Sequence, residues 1–307
     1  MRILVTGGAG FIGSHLVRAL LRQGDEVIVF DRVPVPHLLS DVRDSITYAQ
    51  GDAASEVDLY RAVATSRAEG IFHLGALLAG ACEENPPLAF QINFRSTQVL
   101  LDAALSCGVK RFFFMSSISL YAPSAVEPVP EDAPKEPATI YGQTKLAGEH
   151  LLRWYGDTYG LDVRGIRPTW VWGPNRSNGL TTRYTSGLVG SIAAGGEVRL
   201  DNPDERGDWI YVHDTVKAML LVWNAPHPSR RFYTVCGSVH TLREVAEIAN
   251  RLCPETKVTY AQHGAVTSPY ACSFDDTPIR EELGYAPDWS IEESVKDYIR
   301  AVSGKTC

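Results

Sequence analysis

Three glycines near the start of this 307-residue chain, each three positions after the one before, narrow its fold to a small set. Gly7, Gly10 and Gly13 separate an apolar run at 2–5 from a segment of helical spacing at 14–23. A strand, a tight glycine turn and a helix form the first half of a nucleotide-binding βαβ unit. The first glycine permits a sharp turn, the second lets backbone approach a pyrophosphate, and the third lets the helix pack close to the strand. The pattern predicts a phosphate site at the helix N-terminus, and a glycine turn without a ligand is the alternative.

An acidic residue ends the second predicted strand. Asp31 follows the apolar run at 26–30, about twenty residues after the glycine turn, where a carboxylate accepts hydrogen bonds from the adenosine ribose. A carboxylate there repels a 2′-phosphate, so NAD is favoured over NADP. Arg32 complicates this preference because an arginine could hold that phosphate. The alternative for Asp31 is a turn residue that ends the strand.

Composition and charge argue against several classes of function. Hydrophobic residues make up 45% of the chain and charged residues 21%, with a net charge of −7 and a pI near 5.6. This acidic balance disfavours a non-specific surface for nucleic acid or anionic membrane, and no apolar run approaches the roughly twenty residues of a spanning helix. The six cysteines are scattered without a Cys-x-x-Cys pair, which predicts free thiols in a reducing compartment. We expect a cytoplasmic protein without nucleic-acid or membrane partners.

The first half of the chain is regular and the second half is irregular. Strands alternate with helices up to Pro168, and the sequence after it is rich in Gly, Asn, Thr, Arg and Trp. We predict a dinucleotide-binding Rossmann domain at 1–167, to which a segment at about 208–236 returns, and a smaller substrate lobe over most of 168–307.

The predicted helix or strand around two further residues of the first half indicates their roles. A long helix predicted from 86 to 107 carries Asn93 in its interior, where asparagine is locally unfavourable, so a tertiary role is indicated. His73 lies in a predicted strand at 70–76 and is expected to be packed and hydrogen-bonded rather than catalytic.

A tyrosine and a lysine open the helix predicted from 141 to about 159. Tyr141 and Lys145 are four residues apart and so share one face of that helix. An ammonium group near a phenol stabilises the phenolate and lowers the pKa of the phenol, which can then move a proton on a substrate hydroxyl. Ser117, at the end of the strand at 111–115, can hydrogen-bond the same substrate oxygen. The alternative is an exposed pair that makes a modest contact.

Together these motifs resemble the extended short-chain dehydrogenase/reductases, the NAD-dependent epimerase/dehydratase group. The motifs that carry the resemblance are Thr-Gly-Gly-Ala-Gly-Phe-Ile-Gly at 6–13, Gly51-Asp52, His73-Leu74-Gly75-Ala76, Asn93, Ser116-Ser117, Tyr141-x-x-x-Lys145, Arg167-Pro168, Gly173-Pro174 and Asp208-Trp209-Ile210-Tyr211-Val212-x-Asp214. The resemblance implies an α/β doubly wound Rossmann fold with a mainly parallel seven-stranded sheet, a small C-terminal substrate lobe, and a homodimer. It also implies that Asn93 supports catalysis by Ser117, Tyr141 and Lys145.

The site residues follow from the motifs and the resemblance together. We predict cofactor contacts at Gly7, Gly10, Phe11, Ile12, Gly13, Asp31, Arg32, Asp52, Ala53, Leu74, Gly75, Ala76, Asn93, Ser116, Tyr141, Lys145 and Pro168. We predict contacts with a small-molecule substrate at Leu78, Ser117, Ile118, Thr169, Thr182 and Arg183. We predict no metal ligands.

Departures from the family pattern narrow the activity. The Asp-Glu pair of sugar-nucleotide 4,6-dehydratases is replaced by Ile118-Ser119-Leu120, which disfavours dehydration. Nucleotide-sugar 4-epimerases usually carry an Asn where Thr169-Trp170 stands, and Gly207 displaces their Arg, leaving Arg206 one residue early. Both changes disfavour a nucleotide-diphosphate substrate.

One segment is similar to the family's small-molecule dehydrogenases, such as the short-chain L-threonine dehydrogenases. In those enzymes an acid usually follows the two threonines that correspond to Thr181 and Thr182. Arg183 stands at that position and reverses the charge, which disfavours L-threonine and suits a carboxylate or several hydroxyls. A surface arginine is the alternative for Arg183.

The leading hypothesis is an NAD-dependent oxidoreductase that acts on a secondary alcohol of a small polar substrate, such as a sugar, sugar acid or hydroxy acid. An epimerase that uses transient oxidation is the alternative. A non-catalytic NAD-sensing scaffold is a third hypothesis, which the intact Ser117, Tyr141 and Lys145 disfavour.

Overall fold

The computed structural model describes residues 1–34, 36–123, 126–177, 179, 181–261 and 268–303. Its strands are β1 (Arg2–Thr6), β2 (Glu26–Asp31), β3 (Ile46–Gln50), β4 (Gly70–His73), β5 (Arg111–Met115), β6 (Asp162–Pro168), β7 (Trp170–Trp172), β8 (Glu197–Leu200), β9 (Arg206–Tyr211), β10 (Phe232–Val235), β11 (Ser238–Thr241) and β12 (Lys257–Tyr260). Its helices are α1 (Phe11–Arg22), α2 (Glu56–Ser66), α3 (Ala79–Glu84), α4 (Pro86–Ala89), α5 (Ser96–Ser106), α6 (Ile140–Tyr159), α7 (Ser186–Ala194), α8 (Val212–Asn224), α9 (Leu242–Leu252), α10 (Thr277–Leu283) and α11 (Ile291–Ser303).

A central sheet of seven strands organises the molecule, in the order β10-β6-β5-β4-β1-β2-β3. Each neighbouring pair in it is parallel, which confirms the predicted fold class. Side chains alternate between two cores along each strand: Ile3 and Val5 pack on one face of the sheet and Leu4 on the other. Both faces of the sheet are therefore covered, as a parallel sheet requires. The chain reverses its winding direction between β1 and β4, so the crevice beyond their carboxyl ends is the expected place for a ligand.

The predicted helix at 86–107 is continuous but not uniform. α4 and α5 are joined by a π-helical segment, Phe90–Arg95, which contains Asn93. A π segment shifts the register of the side chains on either side of it and is often found at functional sites. The periodicity of the sequence did not predict this segment.

His73 is a packed strand residue, as expected. Its Nδ1 lies 2.7 Å from Thr6 Oγ1 and its Nε2 lies 3.1 Å from Thr97 Oγ1, so both ring nitrogens are satisfied. Burial lowers the pKa of the imidazole to about 3, which keeps the ring neutral.

The irregular half of the chain builds a second layer beyond the carboxyl ends of the central strands. It contains a three-stranded sheet, β11-β9-β7, and a two-stranded sheet, β12-β8. Of the segment at 208–236 that the sequence assigns to the cofactor domain, β10 joins the central sheet and α8 packs on α1, but β9 does not join that sheet. The reason is aromatic packing, because Trp209 and Tyr211 of β9 are buried with Trp172 in the core of the lobe.

Two other sequence predictions concern the chain as a whole. Five cysteines lie in the described part of the chain, at positions 82, 107, 236, 253 and 272, and none of them forms a disulfide with another; Cys307 lies outside it. Among the described helices, none has both the length and the apolar character that a membrane crossing needs.

Candidate active site

The glycine turn has the geometry of a phosphate cradle. Gly7 has φ +70°, and a Cβ on it would lie 2.7 Å from the backbone nitrogen of Gly75. A Cβ on Gly13 would lie 2.2 Å from the carbonyl oxygen of Gly7, so the first turn of α1 packs directly on the loop. Gly10 is the N-cap of α1 and offers no capping side chain, and the first turn of the helix holds no acid. The amide groups of that turn are therefore open to an anion, which fits a pyrophosphate.

Asp31 lies at the end of β2, beside this turn. Its two carboxylate oxygens accept hydrogen bonds from the backbone nitrogens of Ala9, at 3.1 Å, and Val33, at 3.3 Å. Burial and, next in size, the negative charge of Asp31 raise the pKa of Tyr48 to about 12. The turn thus fixes the carboxylate next to the predicted phosphate cradle, where an adenosine ribose would lie.

A cavity of about 470 Å³ extends from the glycine turn across the ends of β5 and β6 to the loop after β7. It brings together a large part of both predicted sets. From the cofactor set it is lined by Gly7, Gly10, Phe11, Ile12, Gly13, Leu74, Ala76, Ser116, Tyr141, Lys145 and Pro168, and from the substrate set by Leu78, Ser117, Ile118 and Thr169.

The remaining predicted cofactor residues lie outside the lining of this cavity. Arg32 is exposed, and Asp52 and Ala53 lie just after β3, where the Asp52 carboxylate accepts a hydrogen bond from the Ala54 nitrogen at 2.8 Å. Gly75 lies beneath the turn, against Gly7.

Tyr141, Lys145 and Ser117 meet at the cavity wall. Thr139 caps α6 through its side chain, which accepts a hydrogen bond from the Gly142 nitrogen at 3.0 Å and so fixes the first turn of the helix. Lys145 Nζ lies 5.6 Å from the centre of the Tyr141 ring and donates to the Met115 carbonyl at 2.8 Å. Ser117 lines the same wall, where its hydroxyl lowers the pKa of Tyr141. A phenol, a hydroxyl and an ammonium group thus converge at the end of β5.

Burial dominates the ionisation of these groups. It lowers the pKa of Lys145 to about 8 and raises the pKa of Tyr141 well above its usual value. The sequence predicted that Lys145 would lower the pKa of Tyr141. In the structure the groups that lower the pKa of Tyr141 are the Ser117 hydroxyl and the charge of Arg176, and their effects are smaller than that of burial.

Asn93 lies behind the cavity rather than on its wall. Its side-chain oxygen accepts from the Leu77 nitrogen at 2.7 Å, and its side-chain nitrogen donates to the Leu77 oxygen at 3.0 Å and to Thr144 Oγ1 at 3.1 Å. Thr144 precedes Lys145 on α6. Asn93 therefore ties the segment after β4 to the helix that carries the tyrosine and the lysine.

The predicted substrate segment at 179–184 divides in two. Thr181 lines the cavity, whereas Thr182 and Arg183 do not, and Leu180 lies outside the described residues. Arg183 is exposed, and its guanidinium lies 4.5 Å from the centre of the Tyr184 ring. Its position is that of a surface arginine, the alternative that the sequence left open.

Sequence reasoning missed several residues of the cavity wall. Arg176 and Tyr270 line it although no motif singled them out, and Trp170 lines it although the sequence marked it only as a departure from the epimerase pattern. A Cβ on Gly207 would lie 2.3 Å from the Trp170 ring, so the glycine at that position makes room for the indole. Arg206, one residue earlier, is exposed.

Comparisons with known proteins agree with this geometry. A family model described as "NAD dependent epimerase/dehydratase family" matches residues 3–236. A mitochondrial L-threonine 3-dehydrogenase from Bos taurus is 30% identical over 96% of this chain and 80% of its own length. A D-erythronate dehydrogenase from Cupriavidus necator is 27% identical over 97% of this chain and 98% of its own length.

A solved structure of a UDP-glucose 4-epimerase from Thermotoga maritima, with UDP-glucose, is 27% identical and covers 98% of each chain with a TM-score of 0.88. The matching model, the relatives and the shared architecture lead to one conclusion: this chain belongs to the NAD-dependent epimerase/dehydratase family and is an extended short-chain dehydrogenase/reductase, an NAD-dependent oxidoreductase or epimerase.

Proposed function

We propose that this protein is an NAD-dependent dehydrogenase that interconverts a secondary alcohol and a ketone on a small polar substrate. The observation that carries the proposal is one cavity that joins the open amides of the glycine turn to Tyr141, Lys145 and Ser117. NAD, when bound, supplies the hydride acceptor. The residues of this chain hold the substrate and move its proton.

Tyr141 is the proposed acid and base. As phenolate it takes the proton of the substrate hydroxyl during oxidation, and as phenol it returns that proton during reduction. Ser117 orients the substrate oxygen by hydrogen bonding, from its place beside Tyr141. Lys145 places a positive charge 5.6 Å from the centre of the Tyr141 ring and holds the nicotinamide ribose.

The proposed cofactor is NAD rather than NADP. Asp31 would receive the adenosine ribose hydroxyls, with its carboxylate fixed by the amides of Ala9 and Val33. A 2′-phosphate brought to this place would meet a negative charge. Asp52 and Ala53 are the proposed contacts of the adenine end.

An epimerase is the second candidate, and the likeness to the Thermotoga maritima enzyme favours it. It would perform the same oxidation and then return the hydride to the other face of the ketone. Trp170 argues for the dehydrogenase because its indole stands next to the position at which the family's nucleotide-sugar epimerases carry an amide, and Arg206 is turned out to solvent.

One experiment separates the two functions. The purified protein is mixed with excess NAD and a panel of hydroxy acids, sugars and sugar acids, while NADH absorbance and product stereochemistry are followed. NADH that accumulates in proportion to the substrate consumed supports the dehydrogenase. An inverted product without net NADH would contradict it and support the epimerase.

We also infer a cytoplasmic homodimer. The described cysteines form no disulfide with one another, which suits a reducing compartment. Phe90, Trp154 and Tyr159 are 42%, 51% and 54% exposed on the π segment and on α6, where a second copy would cover them. Sedimentation at micromolar concentration tests the dimer, and a monomer throughout would contradict it.

A further inference from the structure

A second cation, besides Lys145, lies in the wall of the cavity. Arg176 follows β7 in a loop whose backbone takes positive φ at Gly173 and Asn175. The guanidinium donates to the Val171 carbonyl and, at 2.7 Å, to Thr181 Oγ1. Both of these partners are neutral, and both residues line the same cavity.

Arg176 is partly buried and lacks the ion pair that the fully buried Arg164 and Arg167 have. Arg164 is 3% exposed and pairs with Asp162 at 2.8 Å, and Arg167 is 2% exposed and pairs with Glu149 at 2.7 Å. Among the residues that the structure describes, no carboxylate forms an ion pair with Arg176. Its side chain is nevertheless partly withdrawn from water, and this burial lowers the pKa of the guanidinium to about 10.

A desolvated, uncompensated cation is costly unless a ligand supplies the missing charge. The electrostatic partner of Arg176 is Tyr141, which raises the pKa of the guanidinium, while the cation lowers the pKa of the phenol. Both residues line the same cavity of about 470 Å³, so one small molecule bound there can touch the guanidinium and the reacting hydroxyl.

We propose that Arg176 binds the carboxylate of the substrate, so that the enzyme oxidises a hydroxy acid whose carbinol lies at Tyr141 and Ser117. This assignment rests on the proposed function and names its substrate class. A guanidinium presents paired N–H donors that match the two oxygens of a carboxylate, which fixes the orientation of the acid as well as its affinity.

The proposed oxidation needs no reactant other than the hydroxy acid and NAD. The carbinol carbon gives its hydride to C4 of the nicotinamide ring of NAD, and the hydroxyl gives its proton to the Tyr141 phenolate. The products are a keto acid, NADH and the tyrosine phenol. The carboxylate stays bound to Arg176 and is not changed in the reaction.

The test compares hydroxy acids with their primary amides, which keep the hydroxyl and the shape but lose the charge. Calorimetric titration of the NAD-loaded protein with acids and amides of three to six carbons gives the affinity of each. We expect one or more acids to bind about tenfold or more tightly than the matching amides. In Arg176→Gln that preference should disappear, and in Arg176→Lys part of it should remain.

Two other arginine variants make the result specific. Arg199→Gln removes the same charge from a side chain that is 74% exposed and should leave the preference for acids unchanged. Loss of the preference in Arg183→Gln, with Arg176→Gln unaffected, would overturn the assignment. Equal affinity of acids and amides for the unmodified protein, tighter binding of phosphorylated alcohols, or no binding at all would overturn it as well.

The fate of the proposed function is measured separately, by NADH formation. Oxidation of amides as readily as acids would refute the carboxylate site and leave the dehydrogenase intact. A pH profile adds a readout that a purely structural role would not move. Since Arg176 lowers the pKa of Tyr141, Arg176→Gln should shift the alkaline rise of kcat/KM for oxidation to higher pH, whereas Arg176→Lys should shift it less.

Discussion

Replacing Gly13 by alanine tests whether the close packing of α1 on the glycine loop positions the phosphate site. A Cβ there would lie 2.2 Å from the Gly7 carbonyl oxygen, about 1.2 Å short of the 3.4 Å at which ordinary contacts begin. The obstacle is backbone, so the start of the helix must move. Overpacking of this kind costs about 1–3 kcal/mol of folding stability.

The effect on cofactor affinity follows from the same displacement. Moving the first helical turn by about 1 Å lengthens its hydrogen bonds to a pyrophosphate, each worth about 1.5–3 kcal/mol when the acceptor is charged. Loss of a single such bond raises the Kd for NAD by roughly tenfold or more. Titration of NAD by quenching of tryptophan fluorescence, with thermal unfolding run in parallel, measures both effects.

Two other glycines provide a graded comparison. A Cβ on Gly10 would lie 3.2 Å from the Gly7 oxygen, a contact that a small shift relieves, and a Cβ on Gly80, in α3, meets nothing within 4 Å. We expect NAD affinity to fall in the order Gly80→Ala, Gly10→Ala, Gly13→Ala, with the first equal to the unmodified protein. A Gly13→Ala protein that binds NAD with unchanged affinity would show that the close packing of α1 on the glycine loop does not position the phosphate site.

Three further changes probe charge and proton transfer. Because burial raises the pKa of Tyr141, the phenolate is scarce at neutral pH, and kcat/KM for oxidation should rise by up to about tenfold per pH unit between about pH 6 and pH 7, below the pKa of about 8 at which Lys145 loses its proton. Arg167→Met removes the guanidinium that pairs with two buried carboxylates, Glu149 at 2.7 Å and Glu131, and should lower the free energy of unfolding in urea by about 3–5 kcal/mol. Asp31→Asn removes a charged hydrogen-bond acceptor and should weaken the binding of NAD about tenfold. It should also reduce the preference for NAD over NADP, as measured by the Kd for each dinucleotide.

The surface pair of Arg199 and Asp201 serves as the control for the two substitutions. Both side chains are more than 70% exposed, so Arg199→Met and Asp201→Asn should change stability and cofactor affinity little. An Arg167→Met protein as stable as its control would contradict the ion-pair argument. A tighter Kd for NADP than for NAD in the unmodified protein would contradict the reading of Asp31, and a flat pH profile would contradict the assignment of Tyr141.

Local chemistry made much of the cofactor end predictable. The glycine turn, the acid after β2 and the spacing of Tyr141 and Lys145 each depend on a few neighbouring residues and on the rule that parallel strands end at one edge of a sheet. The alternation of strands and helices predicted an α/β cofactor domain, and the seven strands of its sheet followed from the family resemblance.

The substrate end was less predictable because its geometry depends on long-range packing and on backbone turns. Arg176 and Arg183 are seven residues apart in one irregular loop, and the sequence favoured Arg183. Positive φ at Gly173 and Asn175 turns the chain after β7, and in the folded loop the Arg176 side chain donates to the Val171 carbonyl while Arg183 lies on the surface. The periodicity of the sequence does not indicate which of the two arginines lines the cavity.

Two details of the fold could not be predicted from the sequence because they also depend on long-range packing. β9 ends in a continuous apolar run, Trp209 to Tyr211, like a strand of the central sheet, but Trp209 and Tyr211 pack in the core of the lobe and β9 pairs with β7 and β11 instead. The π segment around Asn93 places a polar side chain where it can reach the segment after β4. Asparagine within a helix was the only sign of it in the sequence.

Tyr141 is the residue that we propose transfers the substrate proton in an NAD-dependent oxidation. Once a substrate is identified from the panel, the most direct measurement is single-turnover NADH formation by the NAD-loaded protein and by Tyr141→Phe. The phenylalanine keeps the ring but cannot accept the proton, so NADH formation should fall by roughly 10²–10⁴-fold while the Kd for NAD stays within a few-fold of the unmodified value. NADH formed at the unmodified rate by Tyr141→Phe would contradict the account.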